Sequence, residues 1–192
     1  MRARFISALS MVLILASAIW AQEIKTRRAP DFTLPDIEGR NISLSKSLGQ
    51  GPIYISFWAT WCKPCLEELK IIEKLYERHK DKGFRVFAIN TEGPKASAKI
   101  KSFVKAYGIT YTVLLDNDGE VFRRSYKGAN MPYTVLVDSN GKVLFSGVGF
   151  KPGDEVEIEK LVVKNLPATE EAPALPIPPA EGDSAGQSDS GK

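Results

Sequence analysis

The sequence predicts an α/β protein, with a central mixed β-sheet, helices on both faces and an N-terminal β-hairpin extension. Three observations predict it. Apolar residues recur with strand and helix periods in the order β-α-β-α, an interlude, then β-β-α. Ser139-Asn-Gly141 separates two apolar runs with the chemistry of a tight hairpin turn. The 192 residues are 43% apolar, enough for the core of one ordinary domain.

The chain opens with Arg2 and Arg4 ahead of an apolar run from Phe5 to Ala21, interrupted only by Ser7, Ser10 and Ser17. Residues 1–21 therefore read as an export signal peptide or a retained N-terminal membrane anchor, placing the protein outside the cytoplasm. Ala16-Ser-Ala18 has the small-x-small form of a cleavage site, yet the run also approaches the roughly 17 residues that just span a bilayer. No polar face is available to make it a buried amphipathic helix. No cysteine follows directly, which excludes a lipoprotein anchor.

Residues 22–28 are a polar linker leading to Ala29-Pro30. Asp31–Pro35 and Asn41–Leu44, joined through Glu38-Gly39, form the N-terminal hairpin. Ile53–Trp58, Cys62–Lys80 and Phe84–Asn90 read as strand, helix and strand. Along that helix Cys65, Leu69, Ile72 and Tyr76 recur on one face, with Leu66 and Leu75 alongside, while Glu67, Lys70, Glu73 and Lys74 turn to water. Lys95–Tyr107 is a second helix, with Ile100, Phe103 and Val104 inward and Gly108 as its stop. After a short strand at Thr112–Leu115 and a turn at Asn117-Asp-Gly119, Val121–Tyr126 is either a helical turn or a short strand. Tyr133–Asp138 and Lys142–Ser146 make a hairpin, and Gly153–Asn165 a last helix. The domain spans 29–166; residues 167–192, rich in Pro, Ala, Glu, Ser and Gly, read as a disordered acidic tail. The net charge is +3, but the domain holds no Lys/Arg block, so nucleic acid is not an expected partner.

Cys62 and Cys65, the only cysteines, lie where a strand ends and a helix begins. There the first backbone N–H groups have no helical partner and the macrodipole adds roughly half a positive charge, so a thiolate at Cys62 is stabilised. Thiol pKa values in such settings fall from about 8.5 toward about 3.5–7.5. Cys65, one turn on and on the apolar face, is placed to attack a mixed disulfide at Cys62 and release a substrate. Pro64 suits the first helical turn, where its missing N–H costs no bond. A structural disulfide is the bland alternative, but so short a loop restrains the unfolded chain little. Zinc needs three or four ligands, and His79 lies most of a helix away. His79 itself reads as a solvated helix-end residue rather than a base. Trp58 reads as packing at the strand end, and Trp61 as a partly exposed surface beside the cysteines.

Several motifs resemble the thioredoxin superfamily and, within it, the TlpA-like branch of ResA/DsbE type, over about residues 29–165. They are Ala29-Pro-Asp-Phe-Thr-Leu-Pro35, Phe57-Trp-Ala-Thr-Trp-Cys-Lys-Pro-Cys65 with Glu68 three residues on, Met131-Pro132, and Asp138-Ser-Asn-Gly-Lys142. The resemblance implies a thioredoxin-like fold and a thiol:disulfide oxidoreductase, with Cys62 the exposed nucleophile and Cys65 the resolving thiol. It implies a cis bond before Pro132, with Met131 and Pro132 facing the pair, and Trp61, Lys63 and Pro64 beside it. No cofactor is implied beyond the redox-active Cys62–Cys65 disulfide. The implied partners are disulfide-containing exported proteins, as in cytochrome c maturation, and a membrane electron donor that keeps the pair reducing. Three positions depart from the pattern. Tyr133 stands where threonine is frequent, and Lys70 where a kinking proline is frequent, which predicts a straighter helix. Glu92 is the nearest counterpart of a buried acid near the end of the second strand; it is either such an acid, with a raised pKa and a role as base, or a solvated loop glutamate.

Two other functions compete. A peroxiredoxin-like thiol peroxidase needs a threonine three residues before its reactive cysteine, where this chain has Ala59. A redox-inactive or Cu(I)-handling adaptor would bind through the two thiolates, but the chain lacks a methionine cluster.

Overall fold

The computed structural model describes residues 27–168. The predicted signal or anchor, most of the 22–28 linker and nearly all of the 167–192 tail lie outside the described residues. Among the described residues, no helix is long and apolar enough to cross a membrane.

The N-terminal hairpin pairs β1 (Thr33–Pro35) with β2 (Asn41–Ser43), followed by a single helical turn, α1 (Leu44–Ser47). Asp36 closes the hairpin by accepting the N–H groups of Glu38 and Arg40, each at 2.8 Å. The main sheet begins with β3 (Ile53–Trp58), a run of β-branched and aromatic residues in which every side chain is buried, as a central strand covered on both faces requires. Then come α2 (Lys63–His79), β4 (Arg85–Asn90), α3 (Ser97–Ala106) and β5 (Thr112–Leu115). β6 (Tyr133–Val137), β7 (Val143–Val148) and α4 (Asp154–Asn165) complete the domain. The strand order is β5-β4-β3-β6-β7, with β3, β4 and β5 parallel and β6 and β7 antiparallel to their neighbours. The carboxyl ends of β3, β4 and β5 and the amino end of β6 therefore share one end of the sheet.

Alternation along β3 divides the core. Tyr54 and Trp58 face a cluster built with Cys65, Leu69, Ile72 and Leu75 of α2, Ile100 and Val104 of α3, and Ile158 and Val162 of α4. Ile53, Ile55 and Phe57 face the hairpin, α1 and the segment around Phe122 and Tyr126. Each fully buried Leu, Ile or Phe contributes roughly 1.5–3 kcal/mol of transfer free energy, so the α2 stripe is a principal anchor of that helix.

The predicted α/β architecture is the one observed, with informative differences. Val121–Ser125 is helical, a five-residue π-type turn, because the Asp116 carboxylate accepts the N–H groups of Val121 and Phe122 at 3.3 and 2.8 Å. Residues 94–96 form a separate tight turn before α3, so that helix starts later than its apolar spacing suggested. Strand pairing reaches back into the expected linker: Arg28 bridges Lys142, and the Arg27 carbonyl accepts the Val143 N–H at 2.8 Å. His79 is not a solvated helix-end residue. It is 9% exposed, and its Nε2 lies 2.8 Å from Glu159, which ties the end of α2 to α4.

Candidate active site

The sheet end that gathers the carboxyl ends of β3, β4 and β5 and the amino end of β6 also gathers most of the sequence-predicted site. β3 ends at Trp58, and the chain turns through Ala59–Cys62, with the Cys62 N–H donating to the Ala59 carbonyl at 3.1 Å. Cys62 then caps α2 with extended backbone, and Lys63 and Pro64 occupy its first turn, where Pro64 leaves no helical bond unmade. No acidic residue stands in that first turn, so no carboxylate of α2 itself offsets the positive end of the helix at the cysteines. Cys62 and Cys65 are joined in a disulfide, with Cα atoms 5.3 Å apart.

Exposure separates the neighbours sharply. Trp61 is 69% exposed, and Lys63 and Pro64 are also at the surface. Trp58 is fully buried against Phe103, its ring centroid 5.1 Å away. Cys65 is fully buried, as expected. Cys62, expected to be exposed, is instead buried at 6% exposure, packed in the apolar cluster with its disulfide partner Cys65, Trp58 and Ala59. The bond before Pro132 is cis, and Met131 packs against both core clusters.

Glu92 follows β4 at the same end. It is neither a solvated glutamate nor an acid with a raised pKa. Its side chain is 11% exposed, and its carboxylate accepts the Thr60 N–H at 2.6 Å, the Thr60 hydroxyl at 2.8 Å and the Asn90 amide at 3.2 Å, with Lys99 Nζ 3.6 Å away. Burial pushes its carboxyl upward, but these donors and the Lys99 charge outweigh burial and hold it below the ordinary glutamate range. Glu92 is therefore an anion at neutral pH.

The buried acid is instead Glu68, three residues beyond Cys65 on the inner face of α2 and fully inaccessible. Its carboxyl oxygens accept from Tyr54 at 2.6 Å, Thr134 at 2.8 Å and Ser56 at 2.9 Å, joining α2 to β3 and β6. Burial pushes the Glu68 carboxyl above its ordinary range, and the three hydroxyl donors offset only part of that. The same burial, with the Glu68 charge beside it, raises the Tyr54 phenol well above its usual value. Sequence reading quoted Glu68 only as part of a pattern. Its signal lay in the spacing Cys65, Glu68, Leu69, Ile72, which sets it on the apolar face, and in three hydroxyl residues within strands otherwise apolar.

A Cys-x-x-Cys disulfide at a helix N-terminus, on the strand-terminal end of a five-stranded mixed sheet, defines a thioredoxin-like thiol-disulfide oxidoreductase. Residues 26–146 match the AhpC/TSA family, and the chain belongs to that family and, within it, to the TlpA-like, ResA/DsbE-type branch of the thioredoxin superfamily. The thiol-disulfide oxidoreductase ResA of Bacillus thuringiensis subsp. konkukian is 33% identical over 131 residues, covering 68% of this chain and 73% of that protein. ResA of Geobacillus kaustophilus is 37% identical over 93 residues, 48% of this chain and 52% of the relative. Among solved structures, a Chlorobium tepidum protein described as a thiol:disulfide interchange protein of DsbE type superposes with a TM-score of 0.67 at 34% identity, covering 74% of this chain and 98% of that one.

Proposed function

We propose that this oxidoreductase reduces disulfides of exported proteins outside the cytoplasm, with Cys62 as the attacking thiolate and Cys65 as the resolving thiol. The observation that carries the reading is the Cys62–Cys65 pair at the start of α2, with Trp61 exposed beside it and Cys65 buried behind. In the reduced protein the Cys62 thiolate attacks one sulfur of a substrate disulfide, forming a mixed disulfide and releasing the other substrate sulfur as a thiolate. Cys65 then loses its proton and attacks the Cys62 sulfur, which forms the Cys62–Cys65 disulfide and releases the second substrate thiolate. Two electrons pass to the substrate, and two protons neutralise its thiolates. No cofactor takes part beyond the cysteine pair. A dithiol on a membrane electron donor returns the pair to its reduced form by the same exchange in reverse.

Trp61, Lys63, Pro64, Met131 and Pro132 form the rim against which a substrate chain docks, and residues 1–21 direct or attach the protein to the membrane. Apocytochrome c, a haem-binding chain whose two cysteines must be reduced, is a substrate of the right chemistry. The peroxidase alternative is weakened by Ala59, a fully buried methyl where an orienting hydroxyl is required.

Equilibration of the full chain against a glutathione series tests the direction of electron flow. Dithiol proteins span about −270 to −120 mV, and a value toward the reducing end is expected. A value near the oxidising end, with efficient oxidation of a reduced unfolded substrate, would reverse the assignment. Consumption of peroxide faster than of a disulfide substrate would support the peroxidase instead.

A further inference from the structure

The tripeptide Asn90-Thr91-Glu92 leaves β4 level with the end of β3, since Trp58 pairs with Asn90. Its groups then bond in three directions. The Thr91 N–H donates to the Trp58 carbonyl at 3.2 Å, and the Thr91 hydroxyl donates to Met131 Sδ at 3.8 Å. Glu92 grips Thr60 through both the N–H and the hydroxyl. Glu92 is itself held by Asn90, whose side chain donates to its carboxylate and accepts its N–H at 2.9 Å. Thr60 is the second residue of the Ala59–Cys62 turn, and nothing within that turn holds its N–H: the turn's own bond runs from Cys62 to Ala59. One short segment thus touches both the turn that delivers Cys62 and the methionine before cis-Pro132.

We propose that Glu92 is a positioning residue of the redox site: its carboxylate pins Thr60 and thereby fixes where the Cys62 sulfur sits at the N-terminus of α2. This inference rests on the exchange reading above and deepens it. A carboxylate that takes two donors from one residue fixes that residue's rotation as well as its distance, and charge-assisted bonds are the strong ones. The Cys62 sulfur gains from the free N–H groups of α2 only while the turn holds it over them. Glu92 therefore acts on the first step, attack by Cys62, and does not take the proton of Cys65.

The test uses the full chain with Cys65→Ser, so that the mixed disulfide accumulates and the first step is read alone. Two readouts are followed: the pH midpoint of Cys62 alkylation, and the rate of mixed-disulfide formation with a small aromatic disulfide. Glu92→Ala and Glu92→Asp are both expected to slow the first step about tenfold, the effect of losing one charged hydrogen bond from the reactive geometry, and Glu92→Asp, which keeps the charge, is expected to raise the midpoint. Glu92→Asp is the discriminating variant, because it keeps the charge and loses the reach. If it behaves as wild type while Glu92→Ala does not, the carboxylate acts through its charge alone and the positioning claim is overturned. Thr60→Val, which removes only the hydroxyl bond, is expected to slow the step less, and Thr60→Ser to restore it. A first step within twofold of wild type in Glu92→Ala would also overturn the proposal. So would a defect confined, in the two-cysteine protein, to release of substrate from the mixed disulfide. The alkylation midpoint needs no disulfide substrate. It therefore decides the role of Glu92 even if the wild-type chain turns over no disulfide, a result that would sink the exchange reading alone.

Discussion

Tyr54→Phe removes one oxygen from the centre of the domain and leaves the ring that fills the core. The lost group donates to Glu68 at 2.6 Å, with both side chains wholly inaccessible, so water cannot replace it. A buried hydrogen bond to a charged acceptor contributes about 1.5–3 kcal/mol, and one to a neutral acceptor about 1 kcal/mol. The variant is therefore expected to be less stable by roughly 1–3 kcal/mol, the larger figure applying where Glu68 is ionised. For a domain of this size that is a fall in Tm of roughly 4–12 °C. The pH dependence follows from the raised Glu68 carboxyl. Between its unfolded value near 4.5 and its higher folded value, the native state holds a proton that the unfolded chain has released, so stability falls as pH rises through that window. Removing Tyr54's hydroxyl takes away a bond that favours the ionised form and extends the window upward. The deficit should accordingly grow with pH. Urea unfolding of oxidised wild-type and variant protein at about pH 4.5 and about pH 8 measures both effects. A deficit below about 0.5 kcal/mol, or one of equal size at the two pH values, would show that the Tyr54–Glu68 bond does not hold Glu68 as described.

Three further outcomes are expected. Alkylation of the reduced protein should modify Cys62 before Cys65, with a midpoint below the free-thiol value of about 8.5, and peptide mapping that finds Cys65 labelled first would reverse their roles. Leu69→Ala, which empties a fully buried position on the α2 stripe, should cost about 2–5 kcal/mol in urea unfolding. Gly83→Ala should cost at least about 1–3 kcal/mol, because φ is +96° there and a Cβ would lie 2.2 Å from the Gln50 backbone oxygen; an unchanged melting temperature would contradict that close approach.

What the sequence made legible follows the strength of its periodic signals. β3, β5 and β6 carry runs of β-branched and aromatic residues bounded by turns, and their limits agree with the reading to within a residue. Cys62 and Cys65 were legible because a strand end, a helix start and a Cys-x-x-Cys spacing coincide. The ambiguous Val121–Tyr126 segment was decided by Asp116, a cap five residues upstream whose side chain no local pattern reveals. The two glutamates were harder. Glu92 stood between a buried acid and a solvated loop glutamate because its partner, Thr60, lies 32 positions away, and Glu68 stood only as part of a motif because its partners lie on two strands. His79 was misread for the same reason: Glu159, which buries it, is 80 positions on. Contacts of that kind depend on tertiary pairing, and a one-dimensional pattern does not carry them.

The register between β3 and β6 has a consequence for how the chain acquires its chemistry. The two sulfurs are three positions apart, close enough along the chain that they can meet in many conformations, folded or not. The wall opposite them cannot: Tyr54 and Thr134, which bring β3 and β6 together, are 80 positions apart, a loop whose closure entropy must be met by the whole sheet. As the chain folds, the meeting of the two cysteines thus precedes the assembly of the site around them. In an incompletely folded molecule the pair lacks both the helix end that stabilises a Cys62 thiolate and the cis-Pro132 segment that precedes β6.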